Sequence, residues 1–106
     1  MAGWVDAAAV EQLPQGGRWL LRRAGREIAL FNVQGKLYAI DDSCPHAGAS
    51  LVAARLDGTT VACRAHGLRF DLATGCMRGA TGLRVRSYPV RVHGDRIEVN
   101  IASGTE

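Results

Sequence analysis

The feature that most constrains this chain is a pair of short cysteine–histidine clusters, Cys44-Pro45-His46 and, after sixteen intervening residues, Cys63-Arg64-Ala65-His66. Two thiolates and two imidazoles make a metal-ligand set, and each pair falls in a segment that reads as a loop between strands. In the first loop Pro45 fixes φ and stiffens the backbone. In the second, Gly67 follows His66 and permits a tight turn or a close approach. Within each loop one cysteine and one histidine can point to the same side, so a fold that brings the two loops face to face would enclose a metal centre.

The rest of the chain predicts strands joined by tight turns. At 106 residues it is expected to form one domain, and its thirteen glycines suit a turn-rich chain. Asp6 is positioned to cap a short helical turn over Ala7–Leu13, which Pro14-Gln15-Gly16-Gly17 would end. Arg18–Arg23, Arg26–Val33 and Lys36–Asp41 then read as a three-strand meander. In the middle strand Ile28, Leu30 and Asn32 share one face and Ala29, Phe31 and Val33 the other, so both faces are largely apolar, as in a strand inside a sandwich. Asp57-Gly58 predicts a turn into a strand over Thr59–Ala62, and Arg69–Asp71 a short strand after the second loop. Ala73-Thr74-Gly75 turns the chain back toward Cys76–Arg78. Arg84–His93 alternates as a strand, with Pro89 demanding an edge or a bulge, and Arg96–Ile101 is the last strand. Short strands at close spacing indicate an all-β antiparallel sandwich or partly open barrel. The two cysteine–histidine loops fit a smaller sheet, inserted over about residues 42–82.

Several function classes drop out. The longest apolar runs are far too short to span a membrane, and the N-terminal residues show no basic region followed by an apolar stretch, so a cytoplasmic protein is expected. Three cysteines do not suit a disulfide framework. Cys76 has no histidine or cysteine at ligand spacing and reads as a small, partly buried residue. The formal charge is +3, but the basic residues are scattered along strands without a basic helix or an aromatic platform, which argues against nucleic acid. No glycine-rich nucleotide fingerprint, nucleophile or general base is evident, so the chain is not expected to be a catalyst.

Structural zinc sites usually pair two cysteines at one end with two histidines at the other, whereas here each half offers one of each. Cysteine and histidine are both scarce in this chain, at three apiece, which argues against a chance grouping. A [2Fe–2S] cluster with two cysteines on one iron and two histidines on the other asks for such mixed pairs, each loop giving its cysteine to the inner iron and its histidine to the outer one.

The motif Cys44-Pro45-His46-Ala47-Gly48, followed by Cys63-Arg64-Ala65-His66-Gly67, Phe70-Asp71 and Thr74-Gly75, resembles the Rieske family. The resemblance implies one [2Fe–2S] cluster held by Cys44, His46, Cys63 and His66, in a Rieske-like fold. Rieske proteins of cytochrome bc complexes carry an extra cysteine in each loop, and the pair forms a disulfide; the matching positions here are Ala49 and Ala65. They also place serine and tyrosine hydroxyls near the cluster sulfurs, where this chain has Leu68 and Phe70. Hydrogen bonds to cluster sulfur stabilise the reduced state, so their loss predicts a low-potential cluster. With neutral imidazoles replacing two thiolates, the histidine-bound iron is the expected electron acceptor, and His46 and His66 at the loop tips are the expected route in and out. The chain is similar to the ferredoxins of bacterial aromatic-ring dioxygenase and monooxygenase systems. That likeness implies a soluble carrier of single electrons from a flavin-dependent NAD(P)H reductase to a terminal oxygenase. The small subunit of an assimilatory nitrite reductase is the alternative. Arg64, Arg69 and Arg78 would flank the ligand loops, where they either help dock an acidic partner or stand as solvated arginines without functional weight. Trp4 and Trp19 read as core or partial-core aromatics, His93 as an exposed residue beside a turn, and Asp71 as a turn-former.

Overall fold

The computed structural model describes residues 3–23, 25–43, 50–63, 69–77 and 84–102. Its strands are β1 (Trp4–Ala9), β2 (Arg18–Arg23), β3 (Arg26–Val33), β4 (Lys36–Asp41), β5 (Arg55–Asp57), β6 (Thr60–Ala62), β7 (Arg69–Asp71), β8 (Ser87–Tyr88), β9 (Val90–His93) and β10 (Arg96–Asn100). They form three antiparallel sheets, ordered β1-β10-β9, β2-β3-β4-β8 and β5-β6-β7.

The meander is as the sequence predicts, and the two-faced apolar pattern of β3 explains the architecture. Ile28 and Leu30 pack with Leu21, Ala39, Tyr88, Ile97 and Val99, joining the four-stranded sheet to β10. Ala29 and Phe31, on the opposite face, pack with Ile40, Leu51, Val61, Cys63, Phe70, Leu72 and Val85. The four-stranded sheet is therefore a central layer with a core on each face. Ile28, Ala29, Leu30 and Phe31 are all fully buried, and burial of each large apolar side chain contributes about 1.5–3 kcal/mol. Trp19 packs at the edge of the first core, and Trp4 is half-buried under the guanidinium of Arg91, 4.1 Å from the ring centre.

Four local expectations are corrected. The helical turn over Ala7–Leu13 is instead the end of β1 followed by a single 3-10 turn, Val10–Gln12. Pairing of Trp4, Val5 and Asp6 with Asn100, Val99 and Glu98 overrides the helix preference of the alanines. Asp6 caps nothing: its carboxylate takes two hydrogen bonds from Arg96, at 2.8 and 2.6 Å, and these hold its pKa below the ordinary carboxylate value. The strand expected over Thr59–Ala62 begins at Thr60 and pairs with β5, which sequence pattern does not announce. The strand expected over Arg84–His93 is two strands: β8 pairs with β4, β9 pairs with β10, and Pro89 stands where the chain crosses between sheets. Cys76 is exposed rather than partly buried. It lies opposite Arg84 in an isolated bridge, while its neighbours Leu72, Gly75 and Val85 take the interior positions.

Gly75 shows why that turn needs glycine. Its φ is +79°, and a Cβ there would stand 2.0 Å from the carbonyl oxygen of Val85. Asp71 forms the turn as expected, its Oδ1 accepting the N–H groups of Ala73 and Thr74 at 2.8 and 3.2 Å.

A side chain far away in sequence ties the third sheet's segment to the central layer. Arg18 on β2 donates through Nη1 to the carbonyls of Val52 (3.0 Å) and Ala54, and its guanidinium lies over the Phe31 ring. Arg18→Ala is expected to lower stability by about 1–2 kcal/mol, since hydrogen bonds from a charged donor are worth about 1.5–3 kcal/mol and this one is partly exposed. Urea unfolding of the variant checks it.

Candidate metal centre

Of the four predicted ligands, Cys63 is described; Cys44, His46 and His66 lie outside the described residues, as do Arg64, Arg78, Ala49, Ala65 and Leu68. Cys63 follows directly on β6 and is 1% exposed, packed in the core that contains Val61, Phe70 and Leu72. Among the described residues, no three His, Cys, Asp or Glu side chains converge as a metal site.

The structure does define the roots of both predicted ligand loops. The first, 44–49, leaves and rejoins the fold at Ser43 and Ser50, which face each other in an antiparallel bridge. The second, 64–68, joins β6 to β7, whose Ala62 and Arg69 are register partners. Each loop is thus closed at its base. The roots also share one core, because Leu51, one residue past the first bridge, packs in the same cluster as Cys63. A metal–thiolate bond at Cys63 would be shielded from water by apolar neighbours, which suits an iron–sulfur cluster better than an exposed exchangeable site. On this count the chain's described donor fits the group its motif implies.

Asp42 closes the first root, and no sequence pattern singled it out. It is 4% exposed. Its carboxylate accepts the Ser50 hydroxyl at 2.8–2.9 Å, the Leu51 N–H at 3.1 Å and the Val52 N–H at 2.8 Å. Its own N–H donates to the Glu27 carbonyl, so the clamp is anchored on β3. The signal available in sequence was an Asp-Ser pair ahead of Cys44 and a serine after the loop, both common in ordinary turns.

Next to this clamp, Tyr88 on β8 donates its hydroxyl to Asp41, and Arg26 donates to the same hydroxyl at 3.3 Å. Burial and the Asp41 hydrogen bond push the Tyr88 phenol above its ordinary pKa. Phe70 is fully buried, so the position that carries a hydroxyl in the respiratory relatives is here an apolar core residue. Arg69 is exposed, 3.7 Å from Asp57, and His93 is exposed, as expected.

The family profile described as the Rieske [2Fe-2S] domain matches residues 3–89. The ferredoxin component of the naphthalene 1,2-dioxygenase system of Pseudomonas aeruginosa is 32% identical over 100 residues, covering 93% of this chain and 96% of that one. Among solved structures, the ferredoxin of carbazole 1,9a-dioxygenase from Nocardioides aromaticivorans superposes with a TM-score of 0.84 at 31% identity, covering 92% of this chain and 97% of that one. A chain from a complex of reduced oxygenase and oxidised ferredoxin in carbazole 1,9a-dioxygenase matches with a TM-score of 0.88 at 26% identity over the whole of both chains.

Proposed function

The chain belongs to the Rieske [2Fe–2S] domain family, and on that premise we propose that it is a one-electron carrier, accepting electrons from a flavin-dependent NAD(P)H reductase and delivering them to a terminal oxygenase that hydroxylates aromatic compounds. The observation that carries this reading is the near end-to-end match to ferredoxin components, 96% of the naphthalene-system protein. Those relatives are electron-transfer components, and the chain is read likewise as a carrier rather than a catalyst. The nitrite reductase alternative is not favoured. The proposed setting is the cytoplasm; no helix among the described residues is long and apolar enough to cross a membrane.

The proposed ligands are Cys44 and Cys63 for one iron and His46 and His66 for the other, in a single unit spanning residues 1–106 with the cluster-binding segment at about 42–82. When bound, the cluster supplies a reversible one-electron couple. The protein's own part is mechanical and electrostatic. Cys63 sits in the apolar core at the end of β6, which keeps water away from its sulfur. The Asp42 clamp fixes where the first loop leaves the sheet. The β6–β7 pairing does the same for the second. Rigid roots limit the rearrangement that accompanies a change of charge, which suits repeated electron exchange.

Absorption, EPR and potentiometry of the purified protein test the reading. A brown protein is expected, with an average g below 2 when reduced and a midpoint below about +150 mV, two-thirds of the way up the family range of roughly −150 to +300 mV. Phe70→Tyr is expected to raise that midpoint by restoring a hydroxyl at this position. A colourless, zinc-containing protein would rule out the carrier, and a midpoint above about +150 mV would contradict the argument from the missing hydroxyls.

A further inference from the structure

One end of the central sheet forms an open concavity of about 790 Å³ walled by arginines. Arg22 and Arg23 at the end of β2, Arg26 at the start of β3 and Arg86 just before β8 line it, with Glu27 and Asp41 as the two acidic residues. Both carboxylates are engaged: Glu27 accepts from Arg22 Nε at 3.1 Å, and Asp41 accepts the Tyr88 hydroxyl. Counted over its lining side chains, the hollow carries four guanidinium groups and two carboxylates. Ser43, immediately before Cys44, also lines the wall, so the hollow lies beside the root of the first predicted ligand loop.

We infer that this arginine-walled concavity is a docking site for an acidic segment of a protein partner in electron transfer. The inference rests on the carrier reading above and adds to it the place and charge of the contact. Guanidinium forks match carboxylates in paired hydrogen bonds. The hollow is open to solvent, unlike the enclosed sites that bury most of a small ligand, so a lone anion would remain largely hydrated. A peptide segment carrying several carboxylates engages several arginines at once and brings its protein alongside the ligand loop. Arg22 and Arg23 are both exposed, so their charges steer encounter and are screened by salt over about 8 Å at physiological ionic strength.

The test uses the cluster-loaded protein and a fluorescein-labelled octapeptide of alternating glutamate and glycine, followed by anisotropy. The wild type is expected to bind the peptide, more weakly as salt rises. Arg22→Glu/Arg23→Glu is expected to weaken binding at least about tenfold, whereas Arg55→Glu/Arg84→Glu, with the same change of net charge outside the hollow, changes it less than about twofold. Equal losses in the two double variants, no binding by the wild type, or displacement of the peptide by inorganic phosphate at matched ionic strength would each overturn the proposal. Visible absorption of every sample separates the two readings: an intact cluster without peptide binding refutes docking alone, while a wild type that never takes up a cluster refutes the carrier.

Discussion

Cys63→Ser is expected to leave the protein without its [2Fe–2S] cluster: no visible absorption bands, no EPR signal after reduction, and iron and sulfide near zero per chain. Cys63 is the proposed ligand whose surroundings are defined, and they leave little room for compensation. It is 1% exposed, held at the end of β6 among Val61, Phe70 and Leu72, so water or another side chain cannot readily take its place. A serine hydroxyl is a harder, less electron-donating ligand than a thiolate. It also buries a polar group in an apolar core, at about 1–3 kcal/mol when unpartnered. Cys76→Ser is the matched control, since Cys76 is exposed, and it is expected to keep full cluster content. Stoichiometric iron and sulfide in Cys63→Ser would overturn the ligand assignment.

Asp42→Ala carries the second large effect, about 3 kcal/mol of stability lost, read from the urea midpoint. The Asp42 carboxylate gathers the Ser50 hydroxyl and the N–H groups of Leu51 and Val52. Hydrogen bonds to a charged acceptor are worth about 1.5–3 kcal/mol each, and donors stranded in the interior cost more than the bond alone. Leu51 keeps a second acceptor in the Asp42 carbonyl, which is why the loss stays below the sum. Asp42→Asn retains an oxygen for both N–H groups and is expected to lose about 1 kcal/mol. The two variants also separate fold from function. If the clamp positions the first ligand loop, Asp42→Ala releases its cluster faster on dilution with chelator than Asp42→Asn, at a urea concentration where both remain folded. Equal release rates would reduce Asp42 to a purely structural residue.

The meander was legible because alternation is local and both faces of β3 are apolar: Ile28 to Phe31 announce a strand covered on both sides, while the structure adds that Gln34 and Gly35, between β3 and β4, both have positive φ. β1 was not legible, because Ala7, Ala8 and Ala9 favour helix in isolation, while the partners that make them a strand lie at the other end of the chain. β5 has no pattern of its own and exists through its pairing with β6. Pro89 was legible as an interruption but not as a crossing between sheets, since a missing N–H does not reveal which strand lies beyond it. Cys63 is singled out as a proposed ligand by residue type and spacing alone. The family that the cysteine–histidine motif resembled is the one the chain belongs to. Asp42 and Arg18 did not announce themselves: both act by hydrogen bonds to distant backbone groups, which leave no periodic trace.

The pairing of β4 with β8 also sets an order of assembly. Ala39 meets Tyr88 and Ile40 meets Ser87, so the central sheet gains its fourth strand only after the whole stretch between them has been closed into a loop. β2, β3 and β4 pair with their immediate neighbours in the chain and pay no such closure entropy. The meander is therefore the expected nucleus, and the β4–β8 seam, like the β1–β10 seam between the two ends of the described chain, is expected to form late. Closure entropy grows only as the logarithm of loop length, about 0.6 kcal/mol per doubling. Residues added or removed within the excursion thus barely change the entropic cost of sealing the seam.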